Sequence, residues 1–166
     1  MGIMGRLRAS TLTRDIVLAK AKKNDSIIFG GQAIRKHIGF FGRPTDDFDV
    51  LSKRPKRSAR QLERKLDMIA QEDTYYTKPA LHPGTTKVMH KGVDMRKGTM
   101  DDFGIADYSK PRKGICTKII NGVRYVCLSE TIKDKRKAIA DKQFAFRKEK
   151  DLEDIRRIKR FRRFNR

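Results

Sequence analysis

Apolar positions along this chain alternate between the two-residue period of strands and the three-to-four-residue period of helices, and the changes of period predict its elements. Residues 13–23 read as a helix, with Thr13 as its cap and Ile16, Leu18 and Ala19 as apolar positions. "SIIF" (26–29) is a short apolar strand ending at Gly30-Gly31, and "QAIRKHI" (32–38) reads as a helix opened by that turn. "GFFGRPT" (39–45) is a loop, because Gly39, Gly42 and Pro44 break either period. "FDVLS" (48–52) returns to period two. Phe48 and Val50 face one way, and Asp47, Asp49 and Leu51 the other. "SARQLERKLDMIAQ" (58–71) is an amphipathic helix with Leu62, Leu66, Ile69 and Ala70 on one face.

Residues 73–84, rich in Tyr, Thr and Pro, read as irregular, and "TTKVMHKGVDMRKG" (85–98) as strand material interrupted at Gly92. "GICTKIINGVRYVCL" (114–128) is a hairpin, its two β-rich runs meeting at Asn121-Gly122, the preferred pair for a type I′ turn. That turn pairs Ile120 with Val123, Lys118 with Tyr125 and Cys116 with Cys127. The pattern then turns helical: "SETIKDKRKAIADKQFAFR" (129–147) reads as one helix capped by Ser129, and "KDLEDIRRIKRFRRF" (150–164) as a second. In the second, acids Asp151, Glu153 and Asp154 precede bases, as the helix dipole prefers. Its apolar residues recur every three positions, which spirals around an α-helix, so its far end is expected to leave the core.

Length changes the picture little: 166 residues suit one compact unit, divided here into a helical lead-in (1–24), an α/β core (25–128) and C-terminal helices with a basic tail (129–166). Charge changes it more. A net charge of +21 repels itself on folding and attracts polyanions, nucleic acid first among them. The basic residues that would track phosphates are Lys53, Arg54, Lys56 and Arg57, and in the tail Arg156, Arg157, Lys159, Arg160, Arg162 and Arg163. No apolar run approaches the roughly 18 residues of a spanning helix, and the first fourteen residues lack a signal-peptide core. No membrane partner is expected, and the cytoplasm is the expected location. Two cysteines are too few for a disulfide framework, and free, half-buried thiols are the expectation. His37, His82 and His90 are not spaced as metal ligands, and His37 is expected to face solvent. Tyr75 and Tyr76 suit packing on a sheet better than stacking on a base.

Against this basic background, Asp47 and Asp49 stand out. Alternation puts both on one face of a strand end, where two carboxylates repel unless a cation lies between them. Both can reach one hard cation through oxygen ligands. The Gly30-Gly31 turn before them opens a helix whose first amides suit phosphate.

A strand, Gly-Gly, a helix, a loop and a strand bearing Asp-x-Asp resembles the signature of the nucleotidyltransferase-fold superfamily. "GRPTDDFDV" (42–50) resembles one branch more closely, the AbiEii-type enzymes of abortive-infection and toxin–antitoxin systems, with Arg43 and Thr45 ahead of the aspartates. "LSETIKDKRKAI" and "FRKEKDLEDI" are similar to that branch's later pattern.

The resemblance implies an α/β (α+β) fold: a short mixed sheet, helices mainly on one side, and a helical C-terminal part. It implies transfer of a nucleoside monophosphate from a nucleoside triphosphate to an acceptor hydroxyl. RNA is the expected acceptor, and an acidic antitoxin or other protein a possible partner. Asp47 and Asp49 would hold Mg2+ (or Mn2+). Gly30, Gly31, Arg43, Thr45, Lys135, Arg147, Lys150 and Asp151 would contact the nucleotide or support its site. A third catalytic carboxylate is expected on a neighbouring strand; Asp94 is the first choice, with Asp102 and Asp107 as competitors. The alternative is a non-catalytic nucleic-acid-binding or ribonucleoprotein component on the same scaffold.

Overall fold

The computed structural model describes residues 11–92 and 102–165. Helix α1 (Thr11–Lys23) leads into β1 (Ile27–Phe29), α2 (Gly30–Ile38) and a 3-10 turn (Gly39–Phe41). Then come β2 (Phe48–Leu51), α3 (Pro55–Ala70), β3 (Tyr75–Pro79), β4 (Thr86–His90) and β5 (Phe103–Ser109). The hairpin of β6 (Thr117–Ile120) and β7 (Val123–Val126) precedes α4 (Leu128–Ala140), a 3-10 segment (Lys142–Arg147) and α5 (Lys148–Phe164). The described strands form one seven-stranded sheet in the order β3-β4-β5-β2-β1-β7-β6. It is mixed: β2 runs parallel to β5, β1 runs parallel to β7, and the other pairs are antiparallel.

Alternation decides which face is filled. Ile28, Phe48, Val50, Ala106 and Tyr108 share one face, where Val17 and Ala21 of α1 and Ala59, Leu62 and Leu66 of α3 close a dry core on them. Burial at this level is the main stabilising term of the domain, each large apolar side chain contributing about 1.5–3 kcal/mol. Helix α2 carries Ala33 into that core and Ile34 and Ile38 into a second cluster with Ile132 of α4 and Ile158 of α5. The C-terminal helices are thereby docked on α2, beside the opposite face of β2.

The hairpin forms as its sequence dictates. Asn121 and Gly122 take φ of 53° and 78°, the two positive angles a type I′ turn requires, and the register pairs Ile120 with Val123 and Lys118 with Tyr125. Cys116 and Cys127 are joined in a disulfide, which corrects the expectation of free thiols. The register brings their Cα atoms to 5.5 Å, a separation that suits the bond.

Several boundaries differ from the sequence pattern, each for a local reason. Thr13 lies inside α1 and is buried against the core instead of capping. Helix α3 starts at Pro55, a residue suited to a first helical turn. Its buried stripe is Ala59, Leu62 and Leu66; Ile69 and Ala70 are exposed, because the helix ends over solvent at Gln71 (φ 56°). Residues 75–79 are an ordered edge strand, its Pro79 at the strand end where no ladder donor is needed. Strand β5, which the pattern did not reveal, is an interior strand between β4 and the central β2. Ser129 does not cap α4, which already begins at Leu128. That helix stops at Ala140, where the Asp141 side chain accepts the Gln143 N–H and starts the 3-10 segment. Helix α5 keeps contact almost to its end: Phe161 and Phe164 pack on Phe41, although Phe164 is largely exposed.

Candidate active site

Strand β2 sits between β1 and β5, and the pairings determine what surrounds Asp49. Antiparallel β1 sets Phe29 opposite Asp49, and parallel β5 sets Asp107 beside it. On β4, Lys87 pairs in turn with Asp107, and its Nζ lies 3.1 Å from Asp107 Oδ2. Lys87, Asp107, Asp49 and Phe29 thus form one row across four strands on the face opposite the α1–α3 core.

Where β1 turns into α2, Gly30 has φ of +65°, and a Cβ built there would lie 2.0 Å from Asp49 Oδ2. The backbone at the start of α2 therefore sits directly against the carboxylate, an approach only glycine allows. Gly31 packs on Thr45, its would-be Cβ at 3.0 Å from that side chain. Thr45 Oγ1 donates to Asp47 Oδ1 (3.2 Å). Buried Gln32 donates through Nε2 to the carbonyls of Thr45 (3.0 Å) and Asp47 (3.4 Å), and accepts from Arg14 (3.2 Å). Gln32 was not among the sequence candidates; a lone amide on an otherwise apolar helix face was its only signal.

The electrostatics follow from this crowding. Asp49 as a residue is half-buried, but its carboxylate is enclosed; that burial, then the charges of Asp47 and Asp107, push it up to about 7, against the pull of Arg147 and Lys150. Burial also raises Asp107, with Lys87 opposing and Asp47 adding to the rise.

The facing wall comes from the C-terminal helices. Lys135 of α4 is buried, its Nζ 2.7 Å from Asp151 Oδ1 and 2.8 Å from Asp154 Oδ2. Arg43, from the loop before β2, donates through Nε to Asp154 Oδ1 (2.9 Å), and Arg147 lies 4.0 Å from Asp151. One buried network thus ties the β2 loop to α4 and α5. Asp154 was part of the similar motif but not among the candidates. Asp49, Gly30, Lys135, Arg147 and Asp151 line a cleft of about 170 Å3 between sheet and helices. Lys150 is exposed beside it, near enough to act on Asp49.

Of the third-carboxylate candidates, Asp94 lies outside the described residues. Asp102 is bound by the Tyr76 hydroxyl (2.6 Å) at the far side of the sheet. Asp107 is the one in register with Asp49. Tyr75 packs in the core, as expected. His37 does not face solvent: it is half-buried and its Nε2 lies 2.9 Å from the Val126 carbonyl. In the tail, Arg156 and Arg157 pair with Glu153, and Arg160 lies over the Phe164 ring, while Lys159, Arg162 and Arg163 are exposed. Lys53, Arg54, Lys56 and Arg57 are exposed at the start of α3.

Among the described residues, no three His, Cys, Asp or Glu side chains converge closely enough to hold a metal ion. The donor chemistry still fits a hard divalent cation: mutually repelling oxygen ligands at Asp47 and Asp49 gain from a cation placed between them.

No protein-family model and no curated protein matches the chain. Among solved structures, the Megavirus polyadenylate synthase superposes at a TM-score of 0.66 and 18% identity, covering 86% of this chain and 29% of that one. JHP933 from Helicobacter pylori superposes at 0.47 and 11% identity, covering 79% of this chain and 55% of its own, and adds nothing to the assignment. The present chain therefore spans less than a third of the polyadenylate synthase. The α/β fold, a mixed sheet with flanking helices, is the one this chain shares with that part of the Megavirus polyadenylate synthase.

Proposed function

We propose that this protein is a metal-dependent nucleotidyltransferase that moves a nucleoside monophosphate from a nucleoside triphosphate to an acceptor hydroxyl, with RNA as the acceptor. The observation that carries this reading is the register of Asp107 with Asp49, beside Asp47 and against the Gly30 backbone, at the mouth of a cleft whose other wall presents Lys135 and Arg147. A pure polyanion binder gains nothing from carboxylates gathered there, since they repel phosphate.

In this reading Asp47 and Asp49 hold magnesium, or manganese, which neutralises charge on the triphosphate. Thr45 and Gln32 keep Asp47 in place. The amides at the start of α2 face the phosphates, and Arg147 and Lys150 attract them. Lys135, spent on Asp151 and Asp154, together with Arg43 orients this wall. Asp107, kept basic by enclosure and poised by Lys87, takes the proton of the acceptor hydroxyl. The freed oxygen attacks the α-phosphorus, the bond to the β-phosphate oxygen breaks, and pyrophosphate leaves.

The likeness of "GRPTDDFDV" to the AbiEii-type branch supports the narrower reading of a toxin held by an acidic antitoxin. The competing reading is a non-catalytic nucleic-acid-binding component, and the ion pair that Lys87 makes with Asp107 favours it. The test is transfer of α-32P label from each nucleoside triphosphate, with magnesium, into total RNA or protein. Label that disappears in Asp47→Ala, Asp49→Ala and Asp107→Asn supports transfer and identifies nucleotide and acceptor. No label with any triphosphate rejects it.

A further inference from the structure

The fold gathers a second set of charges that the candidate active site does not use. β2 and β5 run parallel, and the Ser52 N–H donates to the Ser109 carbonyl (2.8 Å) where both strands end. That bond brings Lys53 and Arg54, just after β2, together with Lys110, just after β5. The chain then enters α3, and a buried contact between the Ser52 and Ser58 hydroxyls (2.7 Å) holds the corner. From there Lys56, Arg57, Arg60 and Arg64 follow at helical spacing on one stripe of α3. These seven cations line one groove of about 650 Å3.

Two features distinguish the groove from an ordinary solvated face. Among the described residues none of the seven charged groups has an ion-pair or hydrogen-bond partner. Elsewhere on the surface, Arg112 pairs with Glu130 and Asp134, Arg124 with Asp25, and Arg157 with Glu153. Neither acid of α3, Glu63 or Asp67, lines the groove, and Asp67 accepts the N–H groups of Thr74 and Tyr75. Seven like charges held in one concavity repel one another, a cost that a bound polyanion removes.

The lining also says which polyanion. Apart from its cations the groove holds only Gln61 and the buried Pro55, so no aromatic ring is present to stack a base and no exposed apolar side chain to enter a membrane. It suits a phosphodiester backbone read without regard to sequence. Its position is at the far end of β2 from Asp47, which stands just before the strand while Lys53 follows it, and the four strand residues alone span roughly 13 Å.

We infer that the α3 groove is a docking site for the backbone of the acceptor RNA, separate from the cleft that does the chemistry. The choice of RNA rests on the acceptor proposed above; the phosphate chemistry does not.

The experiment measures binding of a fluorescent mixed-sequence RNA, and a DNA of the same length, to the full chain from 50 to 300 mM salt. It compares the wild type with Arg57→Ala/Arg60→Ala/Arg64→Ala, the same three positions changed to Lys, and Asp47→Asn/Asp49→Asn. Each phosphate contact contributes about 0.7–0.9 to the slope of log affinity against log salt, so the triple Ala variant should lose about 2–3 from the slope. It should bind at least tenfold more weakly at the lowest salt, while the Lys and Asn variants keep the wild-type slope. An acidic protein partner in place of nucleic acid predicts equal slopes for wild type and triple Ala variant, and that result overturns the inference. Binding of DNA but not RNA overturns the choice of RNA. Transfer activity, measured in parallel, separates the two claims. Lost slope with no transfer by the wild type leaves the groove and removes the transferase; transfer with an unchanged slope does the reverse.

Discussion

Gly30 and Asp49 approach so closely that a Cβ on Gly30 would lie 2.0 Å from the Asp49 Oδ2. The start of α2 and the central carboxylate of β2 are therefore set by one close approach, made possible by a residue with φ of +65°. Gly30→Ala must move the carboxylate or the backbone and also adopt a left-handed conformation. We expect it to lose about 1–3 kcal/mol of stability in urea unfolding and to abolish label transfer. A variant with wild-type unfolding and wild-type transfer contradicts the geometry.

Asp49 makes stability depend on pH in the unusual direction for a carboxylate. Its folded-state value is raised from 3.8 to about 7 by burial, Asp47 and Asp107, with Arg147 and Lys150 opposing. Between these values the folded state holds a proton that the unfolded chain has released. Its contribution to stability is full below the unfolded value and is lost as pH rises toward about 7. Asp49→Asn has no such proton to lose. In metal-free buffer its stability relative to the wild type should rise from pH 4 to 7 and level off above. Urea titrations at a series of pH values check this; parallel curves for the two proteins count against it.

The pairing of Lys135 with Asp151 and Asp154 is buried, so removing the cation strands two carboxylates. Lys135→Met should cost about 3–5 kcal/mol, although methionine fills similar space. Adding Asp151→Asn should recover part of the loss, and a double-mutant cycle measures how much. If the two effects simply add, the ion network is not a unit.

The Cys116–Cys127 disulfide predicts no thiol-reactive dye uptake by the native protein before reduction. Closing a loop of this length contributes about 2–3 kcal/mol by restricting the unfolded chain. The Cys116→Ser/Cys127→Ser variant should unfold at correspondingly lower urea. Titration of thiols in the untreated protein would show the pair to be reduced.

What could be read from the residues alone was local. Alternation around Phe48 and Val50 put Asp47 and Asp49 on the far face from the core, and Asn121-Gly122 specified the hairpin and its register, because a period of two and a type I′ turn are properties of neighbouring residues. Gly30-Gly31 ahead of the aspartates was likewise visible as a turn into a helix. Strand β3 was obscured by the prolines and glycine around it, and β5 by Gly104 and acids within a short run, although both take ordinary places in the sheet.

The tertiary structure decided whatever depends on which distant segments lie side by side. Parallel pairing of β2 with β5, across a sequence separation of 58 from Asp49 to Asp107, chose the carboxylate that stands beside Asp49. Docking of α4 and α5 on α2 turned Lys135, Asp151, Asp154 and Arg43 from four separate charges into one buried network. The same strand ends that separate the basic groove from the cleft bring Lys110 to Lys53 and Arg54. Net charge and carboxylate spacing are written in the chain, but the sign of the field at any one point depends on which charges meet, and only packing arranges that.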